Sequence, residues 1–168
     1  MARLYRRGRT RAFQALFEAE FGRIPANAAL ERASGERLSE AELTFAATLI
    51  EGVQERRSEI DAIIVEAAPA FPIGQIAMVD RTILRIALYE VLFNNAAVPI
   101  GAVINDAVEL AKTFGSDASR RFVNGVLGTV SRQRLPDLMP KPPPNPGTAL
   151  EEALAAPKAE TEEPSGAL

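Results

Sequence analysis

The stretch from Val98 to Gly128, VPIGAVINDAVELAKTFGSDASRRFVNGVLG, decides the fold class. Between Ile100 and Phe114 apolar residues fall at Val103, Ala107, Leu110 and Phe114, with Ile104, Val108 and Ala111 widening the same stripe. That is the spacing of one helix face. Pro99 suits the first turn, where no N–H is needed, and Gly115 suits a left-handed residue after the last turn. Ser116 to Ser119 offers capping oxygens for a second helix, in which Phe122, Val126 and Val130 recur every four residues beside Val123 and Leu127. So short a connection makes the two helices neighbours.

Working outward, the same reasoning covers most of the chain. Arg3, Arg6, Arg7, Arg9 and Arg11 precede an apolar stripe of Phe13, Leu16, Phe17 and Phe21 at helical spacing. If the helix extends back through the arginines, Arg7, Arg11 and Gln14 project beside that stripe. Gly8 favours fraying there, at about 1 kcal/mol relative to alanine. The expectation is a disordered or half-formed arginine arm feeding a docked amphipathic helix. Arginine's fixed charge and planar donors suit phosphate, and its flat face stacks on bases. Charge alone leaves a nucleic-acid arm and a solvated basic tail equally open.

Beyond it, Ala26 to Ala33 is a candidate short helix. Ser39 with Glu42 forms a capping box that opens a helix carrying Leu43, Ala46, Ala47, Ile50 and Val53. Ser58 with Asp61 is a weaker start signal for Ile60 to Ala68, which Pro69 and Pro72 end. After a short turn at Ile73 to Ala77, Asp80 serves as N-cap of a helix from Arg81 to Phe93. Its apolar residues surround it, so it belongs at the centre of a bundle. Arg85 and Glu90 interrupt that run and should reach the rim or pair with each other. Gly125 and Gly128 are expected to let helices approach closely. The reading is all-α, with about seven helices, three of them before Ser58.

Composition narrows the chemistry. The 168 residues are 47% hydrophobic, enough for one domain or two small subdomains. Cysteine and histidine are absent, which removes the usual zinc sites, thiol catalysis and imidazole acid/base work. Asp106 and Glu109 share a helix face as acid/base carboxylates would, but also fit a solvent-exposed stripe. No phosphate-cradling glycine motif occurs. The expectation is a protein with no catalytic residues, no metal, no cofactor and no enzymatic activity. No apolar run is long enough to span a membrane, so a cytoplasmic location is the default. The net charge of −3 conceals segregation, since residues 136–168 carry six acidic and two basic side chains, leaving +1 for residues 1–135. That terminal segment, with PKPPPNPG near its start, reads as a proline-rich linker and disordered acidic tail.

INDAVELAKTFG (Ile104 to Gly115) followed by FVNGVLG (Phe122 to Gly128) closely resembles the C-terminal signature of the NusB family of bacterial transcription antitermination factors. DRTILRIALYE (Asp80 to Glu90) and RTRAFQALF (Arg9 to Phe17) add to the resemblance, which spans most of residues 3–134. It implies two packed helical subdomains within residues 1–135, about 1–57 and about 58–135. It implies binding of single-stranded boxA RNA of ribosomal RNA operons together with NusE, a small-subunit ribosomal protein. The pair joins an RNA polymerase complex that reads through terminators. By motif, the RNA-facing residues would be Arg3, Arg6, Arg7, Arg9, Arg11, Gln14 and Phe17, with Arg121 and Phe122 added from the last helix. The NusE-facing residues would be Asp80, Arg81, Arg85 and Asp117. The family often has an acid at the position of Ala118, and here the acid is one residue earlier. Some members form homodimers over the arginine region, a question this sequence leaves open. The alternative is a helical RNA-binding or protein-interaction module like the N-terminal domain of a ribosomal RNA cytosine methyltransferase. That reading needs a catalytic domain where this chain has its proline-rich segment.

Overall fold

The computed structural model describes residues 2–22, 24–33, 38–94 and 98–135; the expected tail at 136–168 lies outside them. Among the described residues there are seven α-helices and no strand. They are α1 (Ala2–Glu20), α2 (Ala26–Ala33), α3 (Glu40–Glu55), α4 (Arg57–Ala67), α5 (Met78–Leu92), α6 (Ile100–Phe114) and α7 (Asp117–Arg134), with a 3-10 turn at Ile73–Gln75. The all-α reading therefore holds.

Helix α5 is the hub. It packs on α1, α3, α4, α6 and α7, and Ile83, Leu84, Ile86, Ala87 and Leu88 are all buried in a core shared by those helices. Full burial of each large aliphatic side chain is worth about 1.5–3 kcal/mol, so this helix anchors the five helices packed on it. Arg85 and Glu90 are buried on it as well, but not as a pair with each other. Arg85 grips Asp61 of α4 through two bonds of 2.7 and 2.8 Å and Glu20 of α1 at 2.7 Å. Glu90 receives Arg9 of α1. Arg85 and Glu90 are thus each matched by an opposite charge on a neighbouring helix, as burial requires.

The helix boundaries follow local chemistry, with several differences from expectation. The Ser39–Glu42 capping box is present: Glu42 N–H donates to the Ser39 hydroxyl at 3.2 Å and Ser39 N–H donates to the Glu42 carboxylate at 2.8 Å. α4 begins at Arg57 directly after Arg56, with no side-chain cap. Asp61 is spent on Arg85 rather than on a start signal. α5 begins at Met78 with Ala77 as N-cap, so Asp80 sits inside the first turn, buried. Gly115 is extended at φ −100° rather than left-handed. A Cβ there would meet the Ser119 side chain at 2.5 Å, so glycine is needed for closeness, not for its φ. The left-handed glycine is Gly22, at φ 74°, which closes α1.

Close helix contacts also fall elsewhere than expected. A Cβ on Gly125 would meet nothing within 4 Å, and one on Gly128 only the Arg132 guanidinium at 3.4 Å. Gly8 and Gly52 are the contact glycines instead. A Cβ on Gly8 would meet the Phe45 ring of α3 at 2.5 Å, and one on Gly52 would fall inside the Tyr89 ring of α5.

Candidate nucleic-acid interface

The arginine segment is not a loose arm. α1 is helical from Ala2, and its first half is docked on three sides. Gly8 lets its backbone lie against α3, where Tyr5 meets Phe45 edge-on at 4.9 Å. Arg9 points inward, 3% exposed, with Nε and Nη2 donating to Glu90 at 2.7 and 2.5 Å and Nη1 donating to Asp106 of α6 at 2.5 Å. Its guanidinium also lies 5.8 Å from the Tyr5 ring centroid and 5.7 Å from that of Phe45. Burial works against its charge, and Glu90 and Asp106 outweigh that, holding its pKa above the ordinary value. Arg9 therefore leaves the accessible set: it is the bolt that fixes α1 to α5 and α6.

The other arginines lie on or beside the outer face of α1. Arg3 is exposed. The Arg6 side chain is 60% exposed, with Nη2 4.0 Å from Glu109 of α6. On the opposite flank Arg7 donates to Glu42 of α3 at 2.9 Å. The Ser39 backbone N–H is the main reason the Glu42 carboxyl sits below the ordinary carboxylate range; burial opposes this and Arg7 adds to it. Arg11 donates to Gln14 at 3.0 Å. At about 3.6 residues per turn, Arg3, Thr10, Gln14, Phe17 and Phe21 form one longitudinal row. Phe17 stacks on Phe13 at 5.6 Å and meets Phe21 edge-on at 5.2 Å, while Phe21 is 61% exposed. The row thus runs from the Arg3 guanidinium through an amide to a half-buried and then an exposed aromatic ring.

Sequence reasoning placed Phe21 on the inner stripe. A four-residue step overshoots one turn by about 40°, so a run at Phe13, Phe17 and Phe21 walks out of the core. That drift was the available signal.

The remaining candidates lie apart. Arg121 is exposed on α7, and Phe122 packs edge-on against Phe71 at 5.3 Å. α7 packs on α4, α5 and α6, so these two are not gathered with the α1 row. Among the partner candidates, Arg85 is buried in its ion pairs, and Arg81 donates to Glu20 at 3.2 Å and to the Ile73 carbonyl at 3.1 Å. Asp80 is also buried; Ser119 donates to it, one carboxylate oxygen has no partner, and burial pushes its pKa up. Neither Asp80 nor Arg85 offers an accessible contact, because each is turned into the helix packing. Asp117 is exposed at the start of α7.

Among the described residues no cluster of acidic, histidine or cysteine side chains could hold a metal ion, and no helix is long and apolar enough to cross a membrane. The molecule is an all-helical module that displays arginines and phenylalanines along one docked outer helix. Residues 6–132 match the model of the NusB family, and the chain belongs to that family. It is 50% identical over 126 residues to the transcription antitermination protein NusB of Chloroflexus aggregans, covering 74% of this chain and 84% of that protein. With the NusB of Roseiflexus sp. (strain RS-1) it shares 48% over 137 residues, 80% of this chain and 96% of the relative. Among solved structures it resembles T. maritima NusB, with a TM-score of 0.73 and 34% identity over 79% of this chain and 94% of the other. It also resembles a chain in the crystal structure of antitermination factors NusB and NusE in complex with dsRNA, with a TM-score of 0.70 and 26% identity over 79% and 99%.

Proposed function

We propose that this protein is a non-enzymatic transcription antitermination factor that binds boxA RNA of ribosomal RNA operons together with NusE and promotes terminator read-through by RNA polymerase. The observation that carries this reading is the α1 row, in which Arg3 precedes Gln14, Phe17 and, just past the helix end, Phe21, with Arg6 and Arg7 on its two flanks and the helix held by Arg9. Single-stranded RNA offers phosphates to the guanidinium end and unstacked bases to the aromatic end. The names of the relatives and the solved complex of NusB, NusE and RNA support it. The NusE surface is drawn from the exposed end of α7 at Asp117, with Arg81 at its edge.

The test is titration of the full chain with boxA-like single-stranded RNA, with and without NusE. Three or four phosphate contacts predict that log affinity falls with log salt at a slope of about 2 to 3. Arg3→Glu with Arg6→Glu, both on the outer face, should weaken binding at least tenfold at about 0.1 M salt while helicity stays unchanged. Undiminished affinity in that variant would remove α1 as the RNA surface.

A further inference from the structure

Beside the α1 row lies a cleft between α1 and α6 that RNA binding to the arginines does not explain. It has a volume of about 120 Å³ and is bounded by Arg6, Thr10, Asp106, Glu109, Thr113 and Phe114, among others. Its polar lining is one-sided. Thr10 donates its hydroxyl proton to the Arg6 carbonyl at 2.9 Å, and Thr113 donates its own to the Glu109 carbonyl at 2.8 Å. Both hydroxyls therefore have only lone pairs left to offer. Asp106 Oδ2 is taken by Arg9, which leaves its other oxygen, and among the described residues the Glu109 carboxylate is reached only by Arg6 at the long distance of 4.0 Å. The side chains of the walls mostly accept hydrogen bonds: of the two guanidinium groups lining the cleft, Arg9 is buried and bonded to Glu90 and Asp106, and Arg6 is 60% exposed. Phe114, 38% exposed and packed on Phe13 at 4.9 Å, forms an aromatic wall.

Carboxylates at this place repel a phosphate, so the occupant is neutral, flat and rich in donors. A dry cavity of about 150 Å³ holds a benzene ring, so an open cleft of this size takes one six-membered ring. Of the single-ring bases, cytosine presents an exocyclic amino group, whereas uracil presents a carbonyl at the corresponding position, against which an acceptor-lined wall discriminates. We propose that this cleft is a base-reading subsite for an amino-bearing nucleobase of single-stranded RNA, with Glu109 as the accepting group, Phe114 as the stacking wall and Arg6 at the phosphate. The proposal rests on the RNA-binding reading above and adds sequence preference to it.

Fluorescence anisotropy of the full chain with labelled oligocytidylate and oligouridylate of about a dozen nucleotides tests it. The wild type should hold oligocytidylate about tenfold more tightly. Glu109→Ala, a change on the surface, should bring the two affinities to within about twofold by weakening the cytidylate complex, and Thr113→Val should erode part of the preference. An unchanged ratio in Glu109→Ala would overturn the subsite. So would equal tightening of both RNAs, which means that Glu109 only screens Arg6, or a wild type without preference. Those results leave RNA binding by α1 standing. Failure of the wild type to bind either RNA at low salt removes that reading and the subsite with it.

Discussion

Replacing Arg9 with methionine leaves the Glu90 carboxylate 2% exposed without its guanidinium, and Asp106 loses the same partner. Removing one member of a buried pair costs about 3–5 kcal/mol, because the survivor stays desolvated and unpaired. Arg9→Met should therefore lower the denaturant midpoint by a large part of the total stability. Arg9→Met combined with Glu90→Leu should restore part of it, since Glu90 no longer leaves a stranded charge while Asp106, 14% exposed, still lacks its partner. If the double variant is as unstable as the single, the loss lies in packing rather than charge. The same residue shows where a run of arginines misleads. Five arginines in eleven residues look alike in sequence, yet Arg9 alone among them is turned fully inward by partners 81 and 97 positions away.

At the scale of elements, contact between α3 and α5 depends on Gly52 lying flat against the Tyr89 ring. That ring stacks on Phe93 at 6.3 Å, and Arg56 covers Phe93 at 4.8 Å, so the joint between α3 and α4 is tied to the end of α5. Gly52→Ala would place a methyl group inside the ring and force the helices apart. Overpacking costs about 1–3 kcal/mol, which outweighs the gain of about 1 kcal/mol from better helix propensity. Gly125→Ala, on the exposed face of α7 with open space around it, should instead raise stability by about 1 kcal/mol. Paired thermal melts check the opposite signs. Helical periodicity located both glycines inside helices but cannot tell them apart, because what distinguishes them is a ring delivered by another element.

For the whole molecule, stability against pH combines two carboxylates of opposite sense. Glu42 titrates below its ordinary 4.5, so its contribution is fully present above that value and is lost as pH falls through the lowered folded value. Asp80 titrates above its ordinary 3.8, so its ionisation penalises the fold; the penalty is absent below 3.8 and grows as pH rises to the raised value. Asp80→Asn should remove that rising penalty, and Glu42→Gln should flatten the acid limb, both read from denaturation midpoints across the acid range. The sequence by itself determined the all-α class, the seven helices, the capping box at Ser39 and the central place of α5, because helix periodicity and capping are local and are written within a few residues. Only the tertiary structure decided which arginine of α1 is a bolt and which are open. It also decided that Asp80 and Arg85 face inward, and that Asp106, Glu109 and Phe114 of α6 wall a cleft with α1. Burial and pairing of a charge depend on groups brought together from 24 to 97 positions away, and no local spacing encodes them.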